Sequence, residues 1–365
     1  MKTDKNKKNK KKIVVIGLSG GVDSSVAALL LKERGYNVIG AFMKNFSDTK
    51  DPYTGECSYL EDKRMAQKIA LLLKIPFVIF DFEKQYKKNV IDVMYRDYKS
   101  GLTPNPDILC NKLIKFPLFW KESRKLGAQF IAMGHYARIK KTNLGYELRA
   151  GKDNKKDQSY FLADLSQKDL EHTILPLGNL TKQQVRKIAK INKFPNWSRH
   201  GTVGICFVGQ VNMQSFLKKK IKPKQGIVKD PEGNIIGIHE GVQYYTIGQK
   251  TGEHIGIKIN KPKRDSQKRF YIAKKDEPNT LIVAPEGHPI LKNSVIKIKS
   301  FHKINPKELI EYNLKARIRH LGKLHSGRLV KNKFMISKPV EAAAAGQTIV
   351  FYSKDKVIAS AIINS

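Results

Sequence analysis

The chain has 365 residues, of which 41% are hydrophobic and 9% aromatic. This length exceeds what one hydrophobic core commonly fills, and the apolar content excludes a disordered chain, so two or three globular domains are expected. Three widely separated cysteines exclude a disulfide scaffold and offer no zinc-ligand spacing.

The formal net charge is +37, which makes a polyanion such as nucleic acid the expected partner. Lysine supplies most of the 69 basic residues and is scattered along the chain, so a genome-wide preference for lysine codons would give the same excess without function. The charge is therefore mild support for RNA binding. The lysine cluster at residues 1–12 predicts a disordered basic tail.

The apolar run Ile13–Ile16 is too short for the core of a secretory signal. No apolar stretch approaches the roughly 18 residues that a membrane span needs. We therefore expect no membrane association and a reducing, cytoplasmic location, where isolated thiols are either buried or reactive.

From Ile13 to Asp81 the pattern alternates between strands and helices. The predicted strands are Ile13–Gly17, Val38–Met43 and Pro76–Phe80, followed later by Phe130–Met133. The predicted helices are Ser24–Arg34 and Leu60–Leu73. Such alternation predicts a parallel sheet covered by helices on both faces. Ligands of such sheets bind at the carboxyl ends of the strands, where Gly17–Ser24, Met43 and Gly134 are expected.

After about Cys206 the sequence changes to short β-branched runs separated by turns. The predicted fold class is therefore α/β, with a parallel-sheet adenine-nucleotide-binding domain, a small central β-rich module and a C-terminal β-barrel. We place the catalytic domain at 13–207, the central domain at 208–280 and the barrel at 281–365.

The segment Ser19–Ser25 (SGGVDSS) lies between the first predicted strand and helix. Its glycines allow close approach to a pyrophosphate, the helix N-terminus presents N–H groups, and Asp23 is a candidate for holding Mg²⁺. The lysine of G-x-x-x-x-G-K-[ST] is absent, which suits an enzyme that releases pyrophosphate and transfers AMP. The motif resembles the PP-loop pyrophosphatase superfamily, which contains amidating ligases as well as tRNA-modifying enzymes.

The segment Pro104–Asn111 predicts a stiff loop entering a helix, with Asp107 as N-cap and Cys110 at the third helical position. The helix dipole there lowers the pKa of a thiol, whereas a neighbouring carboxylate raises it, so the net direction stays open. Either a reactive or a buried structural thiol fits Cys110. For Cys206, between glycines in a short apolar strand, and for Cys57, the local sequence favours packing.

Several separated segments together resemble the bacterial tRNA-specific 2-thiouridylase (MnmA) family. They are SGGVDSSVA, NPDILCNKLIKF, GHYAR, KDQSYFL, VRKIA and GICFVG, with YTIGQKTGEHIG and AGQTIVFY further on. The resemblance implies an enzyme that uses ATP to adenylate O2 of the wobble uridine of tRNA. Sulfur would then come from a cysteine persulfide, with release of AMP and pyrophosphate. Direct attack by the persulfide and attack by released sulfide both remain open.

The resemblance also implies roles for matching residues. ATP would be bound by Gly17, Leu18, Ser19, Gly20, Gly21, Val22, Asp23, Ser24, Met43 and Gly134. The target base would meet Asn105, Pro106 and Asp107, and the tRNA would contact His135, Lys156, Asp157, Gln158, Arg317, Ile318 and Gln347. The implied catalytic residues are the nucleophile Cys110, the persulfide carrier Cys206, and Asp23. The family commonly has an aromatic residue where this chain has Ile318, so base stacking there is in doubt.

The implied cofactors are ATP and Mg²⁺, and the implied partners are tRNA and a sulfur-donor protein, either a cysteine desulfurase or a sulfur-relay carrier. Two alternatives remain. Another PP-loop enzyme, such as an amidating ligase or a 4-thiouridine synthase, is disfavoured because neither a glutaminase nor a carrier-cysteine domain is visible. A basic RNA-binding protein with a vestigial nucleotide fold is disfavoured by the intact loop and the two cysteines.

Overall fold

The computed structural model describes residues 12–47, 58–199, 212–260, 265, 267–310, 313–341 and 343–364. Most of the predicted basic tail, Cys57 and Cys206 lie outside these residues, so the predictions made for them are not addressed by the fold. Within the described ranges, no helix is both long enough and apolar enough to cross a bilayer.

The part of the chain before residue 200 combines strands with helices. Its strands are β1 (Ile13–Gly17), β2 (Asn37–Lys44), β3 (Phe77–Asp81), β4 (Phe130–Ala132), β5 (Ala137–Thr142), β6 (Gly145–Ala150) and β7 (Thr173–Ile174). Its α-helices are α1 (Val22–Glu33), α2 (Ser58–Leu72), α3 (Glu83–Tyr86), α4 (Asp92–Lys99), α5 (Pro106–Cys110), α6 (Pro117–Lys125), α7 (Gln167–Glu171) and α8 (Lys182–Ile191). Wider π-helical turns at Lys87–Ile91 and Asn111–Lys115 join α3 to α4 and α5 to α6.

A five-stranded parallel sheet, in the order β3-β2-β1-β4-β7, forms the centre of this part. Alternate residues of β1 enter different apolar clusters: Val15 belongs to one, and Val14 and Ile16 to another. Burying each of these side chains contributes about 1.5–3 kcal/mol, which explains why β1 is apolar on both faces. The predicted parallel sheet is confirmed, and the predicted strand and helix ends differ from the observed ones by at most about two residues.

The rest of the chain is rich in strands. After helix α9 (Met213–Lys218) come β8 (Gly226–Lys229), β9 (Ile235–His239), β10 (Ile257–Ile259), β11 (Phe270–Asp276) and β12 (Thr280–Pro285), which form a sheet in the order β10-β9-β8-β12-β11. The last strands are β13 (Lys292–Lys303), β14 (Asn313–Arg317), β15 (His325–Val330), β16 (Lys333–Glu341), β17 (Thr348–Ser353) and β18 (Lys356–Ile363). Since β13 pairs with both β16 and β18, these strands close into a barrel. The predicted fold class is confirmed.

The hairpin of β5 and β6 connects the nucleotide-binding part of the chain to the C-terminal barrel. It follows β4 directly in the chain, yet β6 pairs with β18 of the barrel, with Leu148 opposite Val357. Asp355 receives hydrogen bonds from Arg138 (2.7 Å) and Arg149 (2.9 Å). The barrel is therefore joined to the nucleotide-binding part by a continuous sheet as well as by ion pairs.

Candidate nucleotide and thiol site

The phosphate loop, residues 17–24, runs from the carboxyl end of β1 into α1. Helix α1 starts at Val22 after Gly21, which forms no side-chain cap, so the first N–H groups of the helix are available to an anion. Gly20 has φ +77°, and a Cβ there would lie 2.5 Å from the carbonyl oxygen of Asp62 on α2. Only glycine satisfies both the left-handed conformation and the contact with α2.

Serine hydroxyls stabilise this loop internally. Ser24 Oγ accepts a hydrogen bond from Ser19 N (3.2 Å) and donates to Gly21 O (3.0 Å), and Ser25 Oγ also donates to Gly21 O (3.0 Å). The buried Asn196 Nδ2 donates to Gly20 O (2.8 Å) and to Ser25 Oγ (3.0 Å). The exposed Ser19 is the serine whose side chain a ligand can reach directly.

The predicted nucleotide-binding residues come together at the carboxyl ends of β1, β2 and β4. A Cβ on Gly17 would lie 2.9 Å from Met133 Sδ and 3.1 Å from Met43 Cε. A Cβ on Gly134 would lie 3.0 Å from Ser24 N, so Gly134 packs on the first turn of α1. The side chains of Leu18, Val22 and Met43 are buried, and any contact of Leu18 or Val22 with a nucleotide is therefore through the backbone.

Asp23 is already engaged by other side chains. Lys182 Nζ lies 2.6 and 2.7 Å from its two carboxylate oxygens, and the Tyr136 hydroxyl donates to Oδ1 (2.7 Å). Burial and the Asp23 carboxylate raise the pKa of Tyr136 above its ordinary value, so Tyr136 stays a hydrogen-bond donor. Over the described ranges, no group of three His, Cys, Asp or Glu side chains is placed to hold a metal ion. In this arrangement both carboxylate oxygens of Asp23 face the ammonium group of Lys182.

Sequence reasoning missed Lys182. It is the first residue of α8, where Thr181 and Gln184 form a capping box, and its N–H donates to Asp153 Oδ2 (2.9 Å). These contacts place its ammonium group beside the phosphate loop, far from that loop in sequence. The T-x-x-Q capping signal predicts the helix start, but no local pattern distinguishes this lysine from its many neighbours.

Cys110 lies on a helix whose start was predicted wrongly. The N-cap is Asn105, whose Oδ1 accepts a hydrogen bond from Ile108 N (3.2 Å), and not Asp107. Pro106 suits the first helical position because it has no N–H to satisfy and its φ is already helical. Cys110 therefore ends α5, beyond the first turn in which the helix dipole acts. Its side chain is 0% exposed and belongs to the same apolar cluster as Ile108 and Ile114.

Two residues predicted to contact tRNA, Asp157 and Arg317, form an ion pair with each other. Asp157 Oδ1 accepts hydrogen bonds from Gly151 N and Ser159 N (3.0 Å each), and Arg317 Nη1 donates to Asp157 Oδ2 (2.6 Å). The two side chains are 1% and 12% exposed. The guanidinium also lies over the ring of Tyr352, 5.2 Å from its centroid. This ion pair joins the barrel to the nucleotide-binding part.

The remaining predicted tRNA residues divide by exposure. Lys156 is exposed and Gln158, Gln347 and His135 are partly exposed, whereas Ile318 is buried. Burial lowers the pKa of His135 well below its ordinary value, and its ring stacks on Phe116 with centroids 5.9 Å apart. His320, which sequence reasoning missed, packs against Phe161 at 4.2 Å, and burial lowers its pKa to about 4. Both rings are therefore neutral at pH 7.

Family models match three successive stretches of the chain. They are described as a tRNA methyl transferase HUP domain at residues 11–210, a tRNA methyl transferase PRC-barrel domain at 214–285 and an aminomethyltransferase beta-barrel domain at 293–363. Despite the word methyl transferase in these descriptions, relatives that match along nearly the whole chain are named as thiolation enzymes.

The tRNA-specific 2-thiouridylase MnmA 1 of Geobacillus kaustophilus is 40% identical over 363 residues, covering 97% of this chain and 96% of the relative. The tRNA-specific 2-thiouridylase MnmA of Nitrosococcus oceani is 40% identical over 368 residues, covering 98% of each. A solved 4-thiouridine synthetase in complex with RNA and ATP has a TM-score of 0.35 and 18% identity over 52% of this chain and 42% of its own. A similarity that low carries no functional argument.

We expect Lys182→Met to weaken ATP binding about 10- to 100-fold, because the triphosphate loses a cation and meets an uncompensated Asp23 carboxylate. Isothermal titration calorimetry with ATP measures the affinity. Lys187→Met, which removes an exposed lysine from the same helix, is the control and should bind as the wild type does. Equal affinity in the Lys182→Met and wild-type proteins would exclude Lys182 from the nucleotide site.

We expect Arg317→Met to lower the free energy of unfolding by about 3–5 kcal/mol, because it leaves the Asp157 carboxylate buried without its cation. Adding Asp157→Asn removes the stranded charge and should recover part of the loss. Urea unfolding followed by circular dichroism measures both variants, with Lys315→Met on the same strand as an exposed control. A single variant as stable as the wild type would show that the pair does not stabilise the junction.

Proposed function

The chain belongs to the family of tRNA-specific 2-thiouridylases, and we propose that its reaction takes place where the phosphate loop and α5 meet the carboxyl edge of the parallel sheet. The enzyme is an ATP-using tRNA-uridine 2-sulfurtransferase. Similarity at 40% identity along 97% of the chain is the observation on which this function rests. It also decides against the amidating ligase that the phosphate loop alone leaves open.

The phosphate loop and Lys182 handle the nucleotide. The bare N–H groups at the start of α1 receive the phosphates, as a helix N-terminus favours, and the Lys182 ammonium provides the cation that this loop lacks in its own sequence. Magnesium enters with ATP as part of the substrate, since Mg²⁺ commonly keeps several waters and binds through phosphate oxygens. Asp23 then acts by orienting Lys182 and Tyr136.

Adenylation makes the uridine C2 position open to substitution by sulfur. Oxygen O2 is a poor leaving group until it attacks the α-phosphorus of ATP, which expels pyrophosphate and makes O2 part of AMP. Sulfur then attacks C2, and AMP departs with its bond to O2 intact. Fixed donors around the triphosphate lower the barrier by stabilising charge that develops on the phosphate oxygens.

Cys206 carries the sulfur as a persulfide, and Cys110 releases it. After the terminal sulfur bonds to C2, the Cys110 thiolate attacks Cys206 Sγ and breaks the persulfide bond. A Cys110–Cys206 disulfide forms, and the electron pair of the broken bond stays with the sulfur on the base. In the second route, Cys110 attacks the persulfide first and the released sulfide attacks C2. Both routes leave the same disulfide, which a dithiol reductant must reopen.

The burial of Cys110 places one requirement on this reaction. A side chain that is 0% exposed cannot meet another thiol unless the packing around the end of α5 opens. Residues 101–105, the base loop, precede α5. Asn105 at the end of this loop, with Pro106 and Asp107 in the first turn of α5, meets the target base. An extruded uridine that inserts here replaces apolar contacts with base contacts.

The partners follow from the same chemistry. The wobble uridine of tRNA is the substrate, and Lys156, Gln158 and Gln347 are the accessible side chains of the proposed tRNA-contacting set. A sulfur-donor protein, a cysteine desulfurase or a sulfur-relay carrier, must regenerate the persulfide on Cys206 after each turnover. We also propose that the catalytic domain spans residues 13–207, the central domain 208–280 and the barrel domain 281–365.

We expect Cys206→Ser and Cys110→Ser each to reduce 2-thiouridine formation below about 1% of the wild-type level, because neither step has a substitute thiol. Nucleoside mass spectrometry of tRNA incubated with ATP and a persulfide donor measures the product. ATP affinity should remain within about twofold of wild type. Cys57→Ser is the matched control and should retain full activity, whereas retained thiolation in Cys206→Ser would refute the carrier role.

A further inference from the structure

The base loop has little secondary structure of its own. Helix α4 ends in a Schellman motif, in which Leu102 N donates to Asp97 O and Gly101 N to Tyr98 O (2.9 Å each), with Gly101 at φ +75°. Residues 102–104, which follow, lie in neither a helix nor a strand. Their conformation therefore depends on contacts with other parts of the molecule.

The central domain makes two of these contacts. Lys275 on β11 reaches across the domain junction, and its Nζ donates to Gly101 O (2.7 Å). The hydroxyl of Thr246 lies 3.2 Å from the hydroxyl of Thr103. Because Thr103 is only 5% exposed, this hydrogen bond is shielded from competing water.

The barrel contacts the same loop from another direction. Thr103 N donates to Ala345 O (2.8 Å), and a Cβ on Gly346 would lie 2.8 Å from Thr103 N and 3.0 Å from Leu102 Cβ. The turn at Ala345–Gly346 thus lies directly against the base loop. At the far end of the loop, Asn105 lies beside Tyr160, whose hydroxyl donates to Thr348 O (2.7 Å).

Lys275 makes this contact at a cost to folding. Within the residues the structure describes, it forms no ion pair, and burial lowers its pKa to about 8. The folded state therefore disfavours the ammonium form relative to the unfolded chain. What the ammonium group adds is direction, because it binds the carbonyl oxygen of Gly101 at the C-terminal end of α4.

We propose that Lys275 and Thr246 are positioning residues that hold the base loop in the conformation that receives the target uridine. The central domain and the barrel therefore set the geometry of Asn105–Asp107, and the nucleotide-binding domain does not do so alone. This inference rests on the proposed function of the loop. It means that the two β-rich domains position the target uridine in addition to providing a surface that binds tRNA.

The test compares Lys275→Met with Lys274→Met, which removes the exposed neighbouring lysine of the same strand. Loss of a charged hydrogen bond should lower the single-turnover rate of thiolation about tenfold in Lys275→Met, while its affinity for ATP stays unchanged. Lys274→Met should match the wild type in both. Thr246→Val, which replaces one hydroxyl by a methyl, should lower the rate in the same direction.

Hydrogen exchange provides a readout that does not require activity. The amides of residues 101–109 should exchange faster in Lys275→Met and in Thr246→Val than in Lys274→Met, because the Thr103 amide loses its fixed position against Ala345 O. Unchanged exchange and unchanged rate in both variants would overturn the inference. If the wild type failed to thiolate tRNA, the proposed function would fall, and exchange alone would still decide whether Lys275 and Thr246 hold the loop.

Discussion

The nucleotide site depends on how closely backbone segments approach one another at the start of α1. Gly134 lies against Ser24 N, and Gly20 lies against the carbonyl of Asp62, so a single methyl group at either place would separate β4 or α2 from the phosphate loop. That proximity leaves the first N–H groups of α1 facing the carboxyl edge of the sheet. In the proposed site, the helix terminus and Lys182, which α8 supplies from elsewhere in the chain, balance the negative charge of a triphosphate.

Contacts between domains hold the segments that we propose take part in the sulfur-transfer step. The hairpin β5–β6 extends the barrel sheet, Asp157 pairs with Arg317, and Lys275 binds Gly101 O. Each of these contacts joins two domains that would otherwise be linked by the chain alone. In the proposed reaction, these contacts hold a loop with few hydrogen bonds of its own in the conformation that presents the base.

The sequence predicted the parallel sheet well because β1 is buried on both faces and must be apolar throughout. The importance of the glycines in the phosphate loop was predicted for a similar reason, since the left-handed φ of Gly20 and its contact with α2 exclude other residues there. The N-cap of α5 was misassigned because Asn105 and Asp107 are both good caps, and the preference of Pro106 for the first helical position decides between them. Lys182 and Lys275 were missed because long-range contacts have no local pattern. The motif that resembles the family led to Arg317 and Asp157, but it did not reveal that they pair.

In the proposed reaction, two cysteines far apart in sequence act on one activated uridine, and a stoichiometric single turnover can detect both of them at work. Enzyme carrying a persulfide is mixed with tRNA and ATP, quenched with acid, digested and analysed by peptide mass spectrometry alongside the nucleosides. We expect one Cys110–Cys206 disulfide and one AMP for each 2-thiouridine formed. Thiolated tRNA without that disulfide, or 2-thiouridine formed at full yield without ATP, would refute the proposed reaction.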